Sequence, residues 1–317
     1  MRHLITLFDL TRDEIVALSD ATGAIKREHG LGRRRLSLEG KVLALVFEKP
    51  SLRTRVSFQT AMAQLGGASI YLSGSEAGLG TRESVPDFAR VLSAYADAIV
   101  LRTFAHHTVE TFRTFSSCPV INGLSDYHHP CQALADLFTV REALGTWEGK
   151  ALVFVGDGNN VARSLAIGCA HVGMRFILAT PPGYRFDEPF RRAFRKAFPG
   201  IALEETDDPM AAVSQADVIY TDVWASMGQE SEREQRARVF QSYQVNEKLL
   251  ERAPAHAVVM HCLPAHRGEE ISSAVLDSPR CIAFQQAANR LHLQKALLEW
   301  LLAPGEPGHA RVSADAT

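Results

Sequence analysis

The stretch Lys41-Val-Leu-Ala-Leu-Val-Phe47-Glu48-Lys49-Pro50-Ser51-Leu52-Arg53-Thr54-Arg55 decides how this chain is read. Its apolar half reads as a buried strand. Residues 56–65, with helical spacing and a Gly66-Gly67 stop, read as the helix that follows. A strand, a short polar turn and a helix start bring free backbone N–H groups and a positive dipole end to one point. Ser51 and Thr54 add hydroxyl donors there, and Arg53 and Arg55 add guanidinium forks. Such a turn suits a phosphate. The two arginines alternate along it, so one is expected to face a site and the other to fix the loop.

The same alternation runs through the chain. Short apolar runs recur at residues 42–47, 69–72, 98–101 and 119–121, with helical stretches such as 85–95 and 108–115 between them. A second series follows Gly149, at residues 151–155, 175–180, 201–204, 217–221 and 257–261. This predicts an α/β protein of two doubly wound parallel-sheet lobes joined by two helices. One linking helix is expected from about His129 to Leu144, and a last helix from Leu291 to Leu302. The expected division is a first lobe over 1–140, a second over 141–288, and a helix over 289–303. The Gly-, Pro- and Ala-rich segment 304–317 is expected to be a disordered tail. In such a fold ligands sit at the carboxyl ends of the strands.

Composition narrows the partners. The chain has 317 residues, 46% apolar and 22% charged, with a net charge of −2. That balance argues against nucleic acid or a membrane surface held by bulk charge. No apolar run approaches bilayer-spanning length, and residues 1–9 do not form a signal peptide. The five cysteines form no CxxC pair, so reduced thiols and a cytoplasmic location are expected. No His or Cys pair has zinc-ligand spacing, so no metal and no cofactor is expected.

Further motifs fall at strand ends. His129-Pro130-Cys131-Gln132 opens the linking helix, where His129 and Gln132 can meet one small ligand. Arg102 ends a strand and offers a second cation. Asp222 follows the strand before Val-Trp-Ala-Ser226-Met227-Gly228 and suits an ammonium; a Gly-hinged segment there suits a lid. Cys262 lies in Met260-His261-Cys262-Leu263-Pro264, but His261, its strand neighbour, points to the other face, which argues against a Cys–His nucleophile. Val155-Gly156-Asp157-Gly158-Asn159-Asn160 lacks the third glycine of a dinucleotide fingerprint, and no acidic residue ends the next strand.

With these motifs in this order, from Leu7-Phe8-Asp9-Leu10 to Asn289-Arg290-Leu291-His292, the chain resembles the ornithine carbamoyltransferases. The resemblance implies transfer of a carbamoyl group from carbamoyl phosphate to the δ-amine of L-ornithine, in a homotrimer. It implies that Ser51, Leu52, Arg53, Thr54 and Arg102 hold the phosphate. His129, Pro130, Cys131, Gln132, Cys262, Leu263 and Arg290 would surround the carbamoyl group, and Asn160, Asp222, Ser226 and Met227 would hold ornithine. Of these Arg102, His129, Gln132, Asp222, Cys262 and Arg290 are the expected catalytic residues. Another amine (putrescine or an acylated ornithine) and a non-catalytic paralogue are the alternatives.

Three departures stand out. Leu52 replaces the usual first Thr of the turn, a contact that a backbone N–H can make. Gly78 stands where the family presents a Gln or His across the subunit interface, so a side-chain contact to carbamoyl phosphate is expected to be missing. Gly78→Gln is then expected to lower the Michaelis constant for carbamoyl phosphate, unless Gly78 adopts a positive φ. Gln285-Gln286-Ala287-Ala288 lacks acidic residues, so Arg290 is expected to lose part of its support.

Overall fold

The computed structural model describes residues 1–74, 78–225 and 230–303. In chain order the first lobe holds helix α1 (Arg12–Gly30), strand β1 (Val42–Phe47), α2 (Leu52–Gln64), β2 (Ala68–Ser73), α3 (Val85–Tyr95), β3 (Ala98–Arg102), α4 (His106–Phe115) and β4 (Val120–Leu124). Helix α5 (Pro130–Leu144) then leads to β5 (Ala151–Val155), α6 (Asn160–Val172), β6 (Arg175–Ala179), α7 (Glu188–Ala197) and β7 (Glu204–Thr206). After these come α8 (Pro209–Val213), β8 (Val218–Thr221), α9 (Arg233–Phe240), α10 (Glu247–Arg252), β9 (Val258–His261), α11 (Ser273–Leu276) and α12 (Ala283–Leu302).

The strands form two sheets, ordered β2-β1-β3-β4 and β7-β6-β5-β8-β9, with every pairing parallel. Strands β3, β5 and β8 are buried along their whole length, which is why they read as unbroken apolar runs rather than alternating ones. In each sheet the winding reverses beside the first strand, between β1 and β3 and between β5 and β8. At such a switch point the following loops splay apart and leave a crevice.

The lobes share one apolar core, which includes Leu45 of β1, Leu137 of α5, Leu165 of α6 and Phe154 of β5. Helix α12 packs on α1, α2 and α5, and also touches β9. Its Leu293, Leu297 and Leu298 are buried, and each such side chain contributes about 1.5–3 kcal/mol of transfer free energy.

Four local features differ from the sequence reading. Helix α2 begins at Leu52, not Val56, because Ser51 Oγ caps it by accepting the Thr54 N–H at 3.3 Å. Helix α12 begins at Ala283, so Arg290 lies inside a helix rather than at its start. Residues 201–203 are not strand, and β7 covers only Glu204–Thr206. Helix α1 was not foreseen, although Thr11-Arg-Asp-Glu14 is a reciprocal capping box.

Candidate active site

A cavity of about 780 Å³ opens where the two switch points face each other. The turn after β1 supplies Ser51, Leu52, Arg53 and Thr54, and the end of β3 supplies Arg102. The turns after β5 and β8 bring Asn160 and Asp222 from the other lobe, and the segment after β9 brings Cys262 and Leu263. Residues far apart in sequence meet because each follows a strand of one of two parallel sheets.

The first wall is cationic. Arg53 lines the cavity, whereas Arg55 turns outward and lies over the Tyr71 ring at 3.7 Å, with Nε donating to Gln59. The first turn of α2 leaves the Leu52 and Arg53 N–H groups without intrahelical acceptors. Lys49 also lines this wall, with its ammonium 4.5 Å from the centre of the Phe104 ring. Burial, then the Arg290 and Arg53 guanidiniums, lower Arg102 to about 10. Nε of Arg102, Nε of Arg290 and Nδ1 of His129 are buried without a hydrogen-bond partner. Buried donors crowded with like charge are costly unless an anion completes them.

Behind this wall runs a buried polar chain. Arg290 donates from Nη2 to Thr54 Oγ1 at 2.8 Å and from Nη1 to Gln132 Oε1 at 2.6 Å. Gln132 Nε2 in turn donates to Asp136 at 2.8 Å, and Asp136 also accepts from Gln286 at 2.7 Å and from the Tyr220 hydroxyl at 2.9 Å. The acidic support for Arg290 is therefore present, in Asp136 of α5 rather than beside Arg290 in sequence. Burial raises Asp136 to about 7 against the pull of its three donors. His129 is anchored by its backbone N–H on Ser164 Oγ at 2.8 Å. Burial, then Arg290 and Arg102, hold its imidazole well below the usual histidine range, so the ring is neutral.

The opposite wall is acidic and amide-rich. Asp222 accepts from Asn159 Nδ2 at 2.9 Å, from the Val223 N–H at 2.8 Å and from the Cys262 thiol at 2.9 Å. Burial and then Asp222 push the Cys262 thiol far above its ordinary value, so it is not a thiolate. The ring of His261 has its Nε2 on Glu270 at 3.0 Å and its Nδ1 on the Leu263 N–H at 2.8 Å. Asn160 lines the cavity with its amide donated to the Ser125 carbonyl at 2.6 Å, a bond between the lobes.

In the turn after β5, Gly158 is required by close backbone packing. A Cβ at Gly158 would lie 3.0 Å from the Tyr184 carbonyl oxygen, and the first N–H groups of α6 are taken by the Asn159 side chain. That helix end has little left to offer a pyrophosphate.

Pro130 and Cys131 do not line the cavity; Cys131 is fully buried, with its thiol on the Asn122 carbonyl. Ser226 and Met227 lie outside the described residues, as does the tail 304–317; Ala225, just before the former, lines the cavity. Gly78 has a φ of +57°, and a Cβ there would lie 2.8 Å from Cδ of Arg82. This is the positive-φ alternative allowed for above, in which Gln at 78 strains the loop, because side chains rarely adopt that conformation. Lys49, Asn159 and Asp157 were missed as lining residues, though all three stand inside motifs quoted above. Among the described residues, His266, Glu269 and Glu270 are the one trio whose ligand atoms cluster within metal-binding reach, but Glu269 is paired with Arg233.

A cationic wall facing an acidic one suits a group-transfer enzyme, with an anionic leaving group on one side and an amine on the other. The chain belongs to the aspartate/ornithine carbamoyltransferase family. Residues 2–142 match that family's carbamoyl-P binding domain and residues 148–301 its Asp/Orn binding domain. The chain is 50% identical over 307 residues to an ornithine carbamoyltransferase from Oceanobacillus iheyensis, covering 95% of this chain and 94% of that one. It is 49% identical over 299 residues to an anabolic ornithine carbamoyltransferase from Pyrococcus furiosus, covering 94% and 95%. The solved structure of an ornithine carbamoyltransferase from Pyrococcus furiosus superposes with a TM-score of 0.92 at 47% identity, covering 96% of this chain and 98% of that one.

Proposed function

We propose that this chain transfers the carbamoyl group of carbamoyl phosphate to the δ-amine of L-ornithine, giving L-citrulline and phosphate in arginine metabolism. The observation that carries this reading is the opposition of Arg53, Arg102 and Arg290 to Asp222 and Asn160 across one cavity. Family membership and the 50% identity to a named ornithine carbamoyltransferase support it.

Ser51, Thr54, Arg53, Arg102 and the Leu52 N–H hold the phosphate, and Pro130 and Cys131 act only by placing the start of α5. The neutral His129 donates to the carbamoyl oxygen, with Arg290 beside it; Gln132 orients the carbamoyl amide. As the amine's lone pair attacks, that oxygen becomes an oxyanion and the fixed donors strengthen. Collapse of the tetrahedral adduct expels phosphate, whose charge the arginines already balance. The carbonyl carbon is activated by its leaving group, so the enzyme supplies no covalent nucleophile, metal or cofactor. Before attack the δ-ammonium gives one proton to Asp222, the Leu263 carbonyl and the Cys262 sulfur accept the hydrogens that remain, and the departing phosphate takes the second proton as the adduct collapses. Asn160, Asp222, Ser226 and Met227 hold the amino-acid end.

The protein works in the cytoplasm as a homotrimer whose sites are completed across subunits. Among the described residues no helix is long and apolar enough to cross a membrane. A colorimetric citrulline assay with ornithine, putrescine and acylated ornithine tests the reaction: product from an amine other than ornithine, or none, sinks it. Light scattering tests the assembly, and a fully active monomer would contradict it.

A further inference from the structure

Where β9 ends, the chain enters the cavity through Cys262 and Leu263, and its conformation there is unusual. Among the described residues Leu263 is the single non-glycine with a positive φ, +57°. Its N–H donates to Nδ1 of His261 at 2.8 Å. A nitrogen that accepts from an amide N–H carries no hydrogen, so the ring's hydrogen sits on Nε2. Nε2 faces the Glu270 carboxylate at 3.0 Å, and both side chains are fully buried. Glu270 Oε1 also accepts the His266 N–H at 2.6 Å, which ties down the far side of the same loop. The His261 N–H is held by Gln286 Oε1 at 3.0 Å.

We infer that the buried Glu270–His261 pair is a positioning device for the amine-facing wall. Glu270 selects the tautomer, the tautomer leaves Nδ1 free to accept the Leu263 N–H, and that bond holds Cys262 and Leu263 in place. The inference rests on the reaction proposed above and assigns two residues outside the cavity to its acceptor side. Neither residue touches substrate; both act through the Leu263 backbone.

Two substitutions separate the halves of the device. His261→Asn keeps an acceptor near the Nδ1 position, and His261→Gln keeps a donor near Nε2 but loses that acceptor. With folding checked by circular dichroism, the Gln variant should lose about tenfold or more in kcat/KM for ornithine, while calorimetric affinity for inorganic phosphate, which does not reach Cys262 and Leu263, stays within about twofold. The Asn variant should recover most of the loss. Equal losses in both, or none in the Gln variant, overturn the inference. Should neither fold, Glu270→Gln should lower kcat/KM for ornithine severalfold, and an unchanged value overturns it. If the parent binds carbamoyl phosphate but makes no citrulline, the ornithine reading fails separately. The pair is then judged by the ¹⁵N shifts of the His261 ring, where a proton on Nδ1 overturns it.

Discussion

Arg290 of α12 and Gln132 of α5 meet through a 2.6 Å hydrogen bond, and through it the last helix is fastened to the linking helix at the cavity wall. The bond uses the acceptor of the Gln132 amide, and Asp136 takes its donor. The amide orientation is therefore set before any ligand arrives. Arg290→Lys keeps the charge but cannot span Thr54 and Gln132 together. It should lower kcat by about tenfold or more, since charge-assisted bonds are worth about 1.5–3 kcal/mol each. A kcat near that of the parent would remove the fork from the mechanism.

Arg53→Ala and Arg102→Ala should each weaken carbamoyl phosphate binding by about tenfold or more for the same reason. Calorimetry on each variant decides; affinity close to the parent's would take that arginine out of the site.

Cys262→Ser should keep activity well above background, because the thiol is protonated and bonded to Asp222. Intact mass after mixing with carbamoyl phosphate alone should show no added carbamoyl group. A stable adduct at Cys262 would replace direct attack with a covalent route.

Gly78→Gln should raise the Michaelis constant for carbamoyl phosphate, the outcome expected from sequence for a glycine of positive φ. A side chain at a φ of +57° is strained by about 1–3 kcal/mol and must also displace Arg82. A lowered constant would mean that the loop reshapes to present the new side chain.

Asp136 gives a pH signature. Its folded value of about 7 lies above that of an unfolded carboxylate, so the folded state holds the proton more tightly. Stability from this group is complete below the unfolded value near pH 4 and is lost as pH rises to about 7. The difference corresponds to about 4 kcal/mol at most. Asp136→Asn should flatten that slope in denaturant titrations run from pH 4 to 8. A slope identical to the parent's would mean that Asp136 is ionised throughout.

Much of this was legible in the chain. The strand–turn–helix at Ser51–Thr54 could be read because an apolar run, a polar turn and a helical repeat follow one another within β1 and α2. The role of Asp136 could not. Helix α5 is buried on nearly every side, so it shows no stripe, and two of the three donors to Asp136 lie 84 and 150 residues away. The start of α12 was misjudged because Gln285 and Gln286 look like surface residues, whereas Gln286 is fully buried within the polar chain. The left-handed turn at Gly78 left no mark beyond the glycine itself.

Thr54 and Arg290 are 236 residues apart in the chain, yet their hydrogen bond ties α2 to α12 at the cationic wall. The cationic wall is thus among the last parts of the fold that synthesis completes. A growing chain lacks Arg290, and with it the bond to Thr54, until α12 has emerged. Premature stops before Arg290 should therefore yield silent fragments rather than weak enzymes, which spares the cell partial chains that would sequester carbamoyl phosphate.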